Sequence, residues 1–168
     1  GPSGSAGDST SSKSINENTT AIHTFTSNET VSWSLSGGAD ASKFSINSST
    51  GALTFSSAPD YESPTDTNSD NDYVVVIQAT DIAGNTSEQT LTVSLKDLNE
   101  APTAISLSSS SFNENIDSNS TVATLSTTDP DASDTFTYSL VSGSGDDDNN
   151  SFTINGSSLK IKASPDYE

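Results

Sequence analysis

The sequence predicts an all-β protein made of two small β-sandwich modules in tandem. Short segments rich in Val, Ile, Thr and aromatic residues alternate with polar positions and are bounded by Gly, Asn, Asp and Ser, which is typical of sandwich strands. Several landmarks then recur in the same order about 100 residues later, the length of one sandwich domain. With 168 residues, 29% of them hydrophobic and 7% aromatic, the chain suits two small cores better than one large core.

Six strands are expected in the first half of the chain, and helical periodicity is not sustained anywhere. Glycine-containing turn signals separate several of them, for example at Gly37-Gly38. The predicted strands are Ile22 to Thr26, Val31 to Leu35, Phe44 to Ile46, Ala52 to Phe55, Tyr73 to Thr80 and Gln89 to Leu95.

The internal repeat rests on four landmarks that occur in the same order in both halves. Because four ordered matches are hard to attribute to chance, the second half is predicted to repeat the fold of the first. The matched segments are Asn16-Glu17-Asn18 with Asn113-Glu114-Asn115, Trp33-Ser34-Leu35-Ser36 with Tyr138-Ser139-Leu140-Val141, Phe44-Ser45-Ile46-Asn47 with Phe152-Thr153-Ile154-Asn155, and Pro59-Asp60-Tyr61-Glu62 with Pro165-Asp166-Tyr167-Glu168.

These landmarks divide the chain into three parts. Residues 1–13 are interpreted as a tag scar or disordered linker, residues 14–100 as one complete sandwich, and residues 101–168 as a partial sandwich. The partial sandwich lacks counterparts of the last two predicted strands, within 73–100, and would leave unpaired edges. Either the chain is an arbitrary fragment, or those strands come from another chain or from the parent protein after an inserted domain.

The charge balance limits the possible partners. Five Lys plus Arg face 23 Asp plus Glu, a net charge of −18 that would repel nucleic acid and anionic membranes and attract cations. Cysteine is absent, which excludes disulfides and cysteine-ligated metals and leaves oxygen ligands. No apolar run approaches the ~20 residues of a membrane helix. The acidic, polar composition also fits disorder, but the periodic apolar segments argue against it.

The ordered motifs resemble the cadherin superfamily, in its bacterial cadherin-like form found within large repetitive (RTX-type) surface adhesins. The resemblance covers roughly residues 14 to 168 and implies immunoglobulin-like Greek-key sandwiches, an extracellular or cell-surface location, and calcium ions at the junction of consecutive domains. Its carriers are Asn16-Glu17-Asn18, Pro59-Asp60-Tyr61-Glu62, Ala79-Thr80-Asp81 and Asp97-Leu98-Asn99-Glu100-Ala101-Pro102.

The resemblance also implies which side chains would hold Ca²⁺. The first domain would supply Glu17, Asp60 and Glu62; the linker would supply Asp97, Asn99 and Glu100; and the second domain would supply Asp129, Asp131 and Asp134. Asp81 would belong to the preceding junction. That preceding junction is expected to be incomplete, because residues 26–29 lack the paired aspartates found at 129–134. The linker at 97–102 is one residue shorter than the family's usual form, which implies that one ion of the family's full set is absent there.

These residue types suit calcium because it takes six to eight hard oxygen ligands, which carboxylates, amides and backbone carbonyls supply. Without a cation, neighbouring carboxylates repel one another, so the metal-free linker is expected to be flexible. The competing interpretation is that the acids only form a solvated surface.

Other sites are less well supported. His23 is the only histidine and no nucleophile motif accompanies it, so catalysis is not expected; glycoside hydrolysis by paired carboxylates would need a cleft. The acidic stretches 65–72 and 145–150 lack EF-hand spacing and are expected to be hydrated loops, with a secondary calcium site left open at 65–72. A sugar-binding platform is open to Trp33, Tyr61, Tyr73 and Tyr167, but a Trp in an alternating strand, such as Trp33, more commonly packs in the core.

Three functional hypotheses follow. The first is a calcium-rigidified adhesin or stalk segment whose partners are calcium and neighbouring repeats of the same parent protein. The second is a calcium-dependent module that binds glycan or peptide, such as a cell-surface glycan or protein. The third is assembly with another copy through strand exchange. None of them involves nucleic acid or membrane insertion.

Overall fold

The computed structural model describes all of residues 1–168 and shows an all-β chain with two compact units. The first unit is Gly1–Leu98 and the second unit is Asn99–Glu168. Eleven strands, β1 to β11 in chain order, are accompanied by two short 3₁₀ turns, Ala41–Lys43 and Asn149–Ser151. No helix has the length and apolar character needed to cross a membrane.

The first unit contains a four-stranded sheet and a three-stranded sheet. The larger sheet has the order β1-β7-β6-β3, in which β1 runs parallel to β7 and the other neighbours are antiparallel. The smaller sheet has the order β2-β5-β4 and is antiparallel. The strands are β1 (Thr10–Asn16), β2 (Ala21–Thr24), β3 (Val31–Gly37), β4 (Phe44–Ile46), β5 (Ala52–Phe55), β6 (Asp72–Asp81) and β7 (Thr86–Lys96).

The core of the first unit lies between these two sheets. Alternate residues of β6, Tyr73, Val75 and Ile77, point inward and are buried, because successive side chains of a strand face opposite sides. Phe44 and Phe55 of the smaller sheet stack with ring centroids 4.7 Å apart, and Phe55 meets Tyr73 edge-on at 5.0 Å. These contacts join the two sheets into a sandwich.

A buried aspartate fastens the loop that precedes β6. The carboxylate of Asp40 accepts hydrogen bonds from the backbone N–H of Val74 at 2.9 Å and of Thr67 at 2.7 Å, and from the Thr67 hydroxyl at 2.8 Å. Burial by itself would raise the pKa of Asp40, but these hydrogen bonds outweigh it and hold the pKa below its ordinary value of 3.8. Asp40 is therefore an ionised structural anchor.

The second unit forms one four-stranded antiparallel sheet with the order β10-β11-β9-β8. The turn between β10 and β11 contains Asn155-Gly156, with Gly156 at φ +59°, as two-residue hairpin turns require. The strands are β8 (Ala104–Leu107), β9 (Thr121–Thr128), β10 (Phe152–Asn155) and β11 (Ser158–Ile161).

The sequence repeat is also a structural repeat. Asn18 and Asn115 occupy equivalent positions and both adopt a left-handed backbone, with φ of 58° and 57°. The backbone N–H of each donates to the carbonyl of a proline, Pro59 or Pro165, at 2.8 Å. Asparagine tolerates this backbone region better than other residues with a Cβ, which explains why Asn follows the glutamate in both copies.

Two details differ from the sequence-based expectation. Residues 1–13 were expected to be a tag scar or disordered linker, but Thr10–Asn16 forms β1 and pairs along β7. Conversely, Tyr138–Val141 repeats the sequence of β3 but forms no strand. β3 is an edge strand that pairs with β6 alone, and the second unit has no strand equivalent to β6, so residues 138–141 lack a pairing partner. Leu140 and Val141 are 39% and 72% exposed.

Candidate metal centre

Three carboxylates of the first unit converge where β1 and β7 end. The oxygen atoms of Glu17, Glu62 and Asp97 all lie within 4.8 Å of one another. Glu17 directly follows β1 and Asp97 directly follows β7, and the parallel register places the last residues of the two strands side by side. Both carboxylates therefore emerge at the same end of the sheet, and the loop after β5 brings in Glu62.

Glu17 is the most buried member of this cluster, at 1% exposure. One carboxylate oxygen accepts from the backbone N–H of Tyr61 at 2.7 Å, and the other accepts from the backbone N–H of Leu98 at 2.9 Å. A carboxylate offers about four lone-pair positions, so these two bonds leave capacity for a cation. Glu17 thus ties together the end of β1, the loop and the segment that leaves β7.

A second cluster follows β9 in the second unit. The carboxylate oxygens of Asp129, Asp131 and Asp134 also lie within 4.8 Å of one another. Asp131 is 8% exposed and accepts a 2.6 Å hydrogen bond from the backbone N–H of Glu100. The backbone N–H of Asp131 donates to a carboxylate oxygen of Asp129 at 3.0 Å, and the backbone N–H of Asp134 donates to the carbonyl of Asp131 at 3.2 Å. These hydrogen bonds hold the segment in a tight turn in which the three carboxylates converge.

One oxygen of the second cluster has no donor. Oδ2 of Asp129 is buried and has no hydrogen-bond partner, whereas the other oxygen of the same carboxylate accepts from Asp131. A buried carboxylate oxygen without a donor carries a desolvation penalty of about 1 to 3 kcal/mol or more. A cation at this position would remove that penalty, so the residues fit a metal.

Repulsion between the carboxylates also favours a bound cation in both clusters. At the 4.8 Å limit, two unit negative charges repel by about 3.5 kcal/mol with an effective dielectric constant near 20. Each cluster contains three such pairs, and solvent reduces the repulsion most for the exposed members, Glu62 and Asp97. All six groups offer hard oxygen ligands, which favours Ca²⁺ over metals that prefer nitrogen or sulfur.

Asp60, Asn99 and Glu100 are further predicted ligands, and none of them is one of the six clustered carboxylates. Oδ1 of Asp60 accepts from the backbone N–H groups of Glu62 and Ser63 at 3.0 and 3.1 Å and forms a turn. The side-chain amide of Asn99 donates to the carbonyl of Glu100 at 2.9 Å. Of Glu100, the structure shows the backbone N–H bonded to Asp131. Their participation in metal binding stays a prediction.

Asp81 lies at the tip of the β6–β7 hairpin. Its carboxylate accepts from the side-chain amide of Asn85 at 2.7 Å and from the backbone N–H groups of Asn85 and Ala83, each at 2.8 Å. The bond from the Asn85 amide, followed by the backbone bonds, lowers the pKa of Asp81 below its ordinary value. Asp81 therefore closes its own hairpin, and its assignment to a preceding junction stays a prediction.

Three further candidate side chains, one histidine and two aromatic residues, pack against other side chains of the first unit. His23 is half-buried and meets Phe25 edge-on at 5.0 Å; burial, then the nearby amino terminus and Lys13, lower its pKa. Trp33 packs against the core, with its ring 5.8 Å from that of Phe25. The sequence also offered Tyr73 as a member of a surface sugar platform, but Tyr73 is 1% exposed and therefore cannot belong to one.

The acidic loop at 65–72 is also built around a buried carboxylate. Both oxygens of Asp66 accept from backbone N–H groups, Oδ2 from Asp70 at 2.9 Å and Oδ1 from Asn71 at 3.3 Å. The sequence predicts a hydrated loop here, but the Asp66 carboxylate is buried and its hydrogen bonds hold the backbone in place. In the other acidic stretch, Asp146 accepts from the backbone N–H of Gly143 at 2.9 Å.

Sequence reasoning missed one member of the repeated arrangement. A carboxylate oxygen of Glu114 accepts from the backbone N–H of Tyr167 at 3.0 Å, as Glu17 does from Tyr61. The repeated Asn-Glu-Asn motif was the signal that could have identified it. The backbone donors at Tyr61, Leu98 and Glu100 have no sequence signal, because any residue except proline supplies an N–H.

Comparison with solved structures shows that the fold of this chain resembles that of cadherin extracellular domains. The sequence is 14% identical to that of the crystal structure of Drosophila N-cadherin EC1-4, and the TM-score is 0.68. The match covers 92% of this chain and 39% of that one. For human protocadherin-24 EC1-2 the identity is 19% and the TM-score 0.60, over 95% of this chain and 76% of that one. For protocadherin gamma B2 extracellular cadherin domains 3-6 the identity is 15% and the TM-score 0.56, and the match covers 95% of this chain and 38% of that one.

At these identities the likeness establishes the fold. The prediction of an all-β, cadherin-like sandwich architecture is confirmed. No family model and no curated protein sequence matches this chain. The chain spans about two fifths of the Drosophila N-cadherin chain that it resembles.

Proposed function

We propose that this chain is a calcium-binding, non-catalytic segment of an extracellular adhesin or stalk. The observation that carries the proposal is the buried, donor-free oxygen of Asp129 within a cluster of three aspartates. A cation bound there would offset the desolvation cost of that oxygen. The cadherin-like fold and the second acidic cluster of the same chain support the proposal.

The residues that would hold Ca²⁺ are Glu17, Glu62 and Asp97 in the first unit and Asp129, Asp131 and Asp134 in the second. Asn99 and Glu100 belong to the proposed ligand set because they lie in the linker that connects the two clusters along the chain. Bound calcium would neutralise the carboxylates and restrain the segments that carry them. The linker would then be stiff with calcium and flexible without it.

The energetic gain can be estimated by linkage. Extracellular calcium modules bind at about 10⁻⁴ to 10⁻³ M, so 10 mM calcium would add about 1.4 to 2.7 kcal/mol per independent site. For a unit of this size each kcal/mol raises the melting temperature by about 4 to 8 °C. The proposed location is outside the cell, at a cell surface, with neighbouring repeats of a bacterial RTX-type adhesin as covalent partners.

Calorimetric titration and thermal melts in EDTA and in calcium test the proposal. We expect saturable calcium binding and a higher melting temperature, both reduced in Asp129→Asn. Asp147→Asn is the matched control, because it removes one charge from an exposed acidic loop outside both clusters. No calcium-dependent stabilisation of the original sequence, or equal effects of the two substitutions, would contradict the proposal.

Strand exchange is a second candidate, and one observation favours it. The segment Tyr138–Val141 carries the sequence pattern of β3 without a strand partner, and it leaves Leu140 and Val141 exposed. Another copy that supplied a strand at this edge would satisfy the backbone groups and cover those side chains. Light scattering tests this, because a chain that is strictly monomeric at high concentration does not exchange strands.

A further inference from the structure

The first and last strands of the first unit pair in parallel along seven residues. The register runs from Thr10 opposite Thr90 to Asn16 opposite Lys96. Backbone bonds close both ends of this pair: the N–H of Thr90 donates to the carbonyl of Ser9 at 2.9 Å, and the N–H of Glu17 donates to the carbonyl of Lys96 at 3.1 Å. The paired region therefore has no frayed end within the unit.

Parallel pairing determines how this unit responds to tension. Because β1 is the first strand and β7 the last, the chain enters the unit at one end of the pair and leaves at the other. A pull along the chain drags the two strands past each other in opposite directions along their length. All hydrogen bonds of the pair are then loaded together, whereas a pull across one end would break them one at a time.

Side chains reinforce the pair at both ends. The hydroxyl of Ser11, which is buried, donates to the side-chain carbonyl of Gln89 at 3.0 Å, and the amide of Gln89 donates to the carbonyl of Asp8 at 2.7 Å. At the opposite end, the buried carboxylate of Glu17 accepts from the backbone N–H of Leu98, two residues beyond β7. Both strands are thus tied at the points where load would enter.

We propose that the β1–β7 pair is the load-bearing element of the first unit and that this unit transmits tension. The property follows from strand direction and hydrogen bonding alone. It goes beyond the proposed calcium binding and holds in the absence of calcium.

The ladder also identifies which backbone groups carry the load. In a parallel pair, alternate residues of a strand direct both backbone groups toward the same neighbour. Ser9 and Glu17 bond to β7, while the N–H of Ser12 donates away from β7 to the hydroxyl of Ser3. Odd-numbered residues of β1 therefore face β7, so the N–H of Lys13 lies in the ladder and that of Ser14 does not.

Single-molecule force spectroscopy on the full chain in EDTA tests the proposal. The chain has no cysteine, so introduced pairs define the pulling points. Ser5→Cys with Ala101→Cys loads the pair along its length, and Ser5→Cys with Ser87→Cys opens it from the end where β1 starts. We expect an unfolding force roughly twofold higher or more in the first geometry, since forced unfolding depends on the barrier along the pulled direction. Equal forces in the two geometries would overturn the proposal.

Proline substitutions give a second, independent measurement. In the lengthwise geometry, Lys13→Pro removes one donor from the ladder and should lower the unfolding force clearly more than Ser14→Pro. Equal effects of the two prolines would count against the assignment. If Lys13→Pro does not fold, the comparison of pulling directions decides alone. Repeating the measurement in calcium separates this proposal from the proposed calcium binding. The dependence of the unfolding force on pulling direction should be present in EDTA, whether or not calcium raises the force further.

Discussion

Replacing Glu17 by Gln removes one negative charge from the same cluster as replacing Asp97 by Asn, yet we expect opposite effects on the metal-free protein. The difference arises from burial. Glu17 is 1% exposed and accepts two backbone hydrogen bonds, at 2.7 and 2.9 Å, whereas Asp97 is exposed. One substitution breaks an anchor and the other mainly relieves repulsion.

The magnitudes follow from these contacts. A glutamine at position 17 keeps one carbonyl acceptor but turns an amide donor toward the N–H of Tyr61 or Leu98, which costs about 2 to 4 kcal/mol. Relief of repulsion returns about 1 kcal/mol at most, because the partner carboxylates are exposed to water. We therefore expect Glu17→Gln to lose about 1 to 3 kcal/mol of unfolding free energy in EDTA. Asp97→Asn should lose nothing or gain up to about 1 kcal/mol.

Urea unfolding followed by fluorescence of Trp33 measures both effects, because this single tryptophan packs against the core of the first unit. In about 10 mM calcium, both variants should lose most of the calcium-dependent stabilisation. Glu114→Gln is the control: it makes the same change at the repeated position in the second unit, where the side chain is exposed. Equal unfolding free energies for Glu17→Gln and Asp97→Asn in EDTA would refute the anchoring role of Glu17.

Three further predictions concern the first unit. Asp40→Asn should cost about 2 kcal/mol at pH 7 by urea unfolding. Since the pKa of Asp40 is held below 3.8 in the folded state, the stability it contributes is present above about pH 4 and is lost as the pH falls through the folded value, so the variant and the original should converge in acid. Gly38→Ala should cost about 2 kcal/mol or more, because Gly38 has φ +106° and an added Cβ would lie 2.5 Å from the carbonyl oxygen of Val74. Gly84→Ala is the comparison: Gly84 has φ +90° but open space around it, so the change should cost about 1 kcal/mol. Equal melting temperatures for the two variants would contradict this prediction. Leu91→Ala, at a fully buried position, should cost about 2 to 5 kcal/mol in the same assay, and a loss below 1 kcal/mol would contradict the core assignment.

Local patterns were sufficient for the strands with clear alternation. β4 and β5 occupy the predicted residues, and β6 extends the predicted segment by one residue at each end. β1 was missed in residues 10–13 because Thr10–Asn16 is mostly polar and becomes a strand only through pairing with β7. The reverse happened at Tyr138–Val141, where a strand-like sequence has no neighbour to bond with.

The candidate site, like the strands, was predicted from the sequence only in part. The sequence predicted all six clustered carboxylates, together with four residues that are not among them. Proximity along the chain was a poor guide: Asp60 lies two residues from Glu62 but forms its own turn, as Asp81 does in its hairpin. The buried donor-free oxygen of Asp129 could be found only from the folded chain, because burial depends on surrounding segments.

Residue types and their spacing within short segments are enough to indicate the all-β class, the repeated order of landmarks and the supply of oxygen ligands. Which carboxylates meet depends on the folded chain. Glu17 and Asp97 lie far apart in the chain and become neighbours because β1 and β7 run in parallel and end side by side. Pairing between distant strands depends on backbone hydrogen bonds that almost every residue type can make, so the convergence of the acids appears only once the strands are paired.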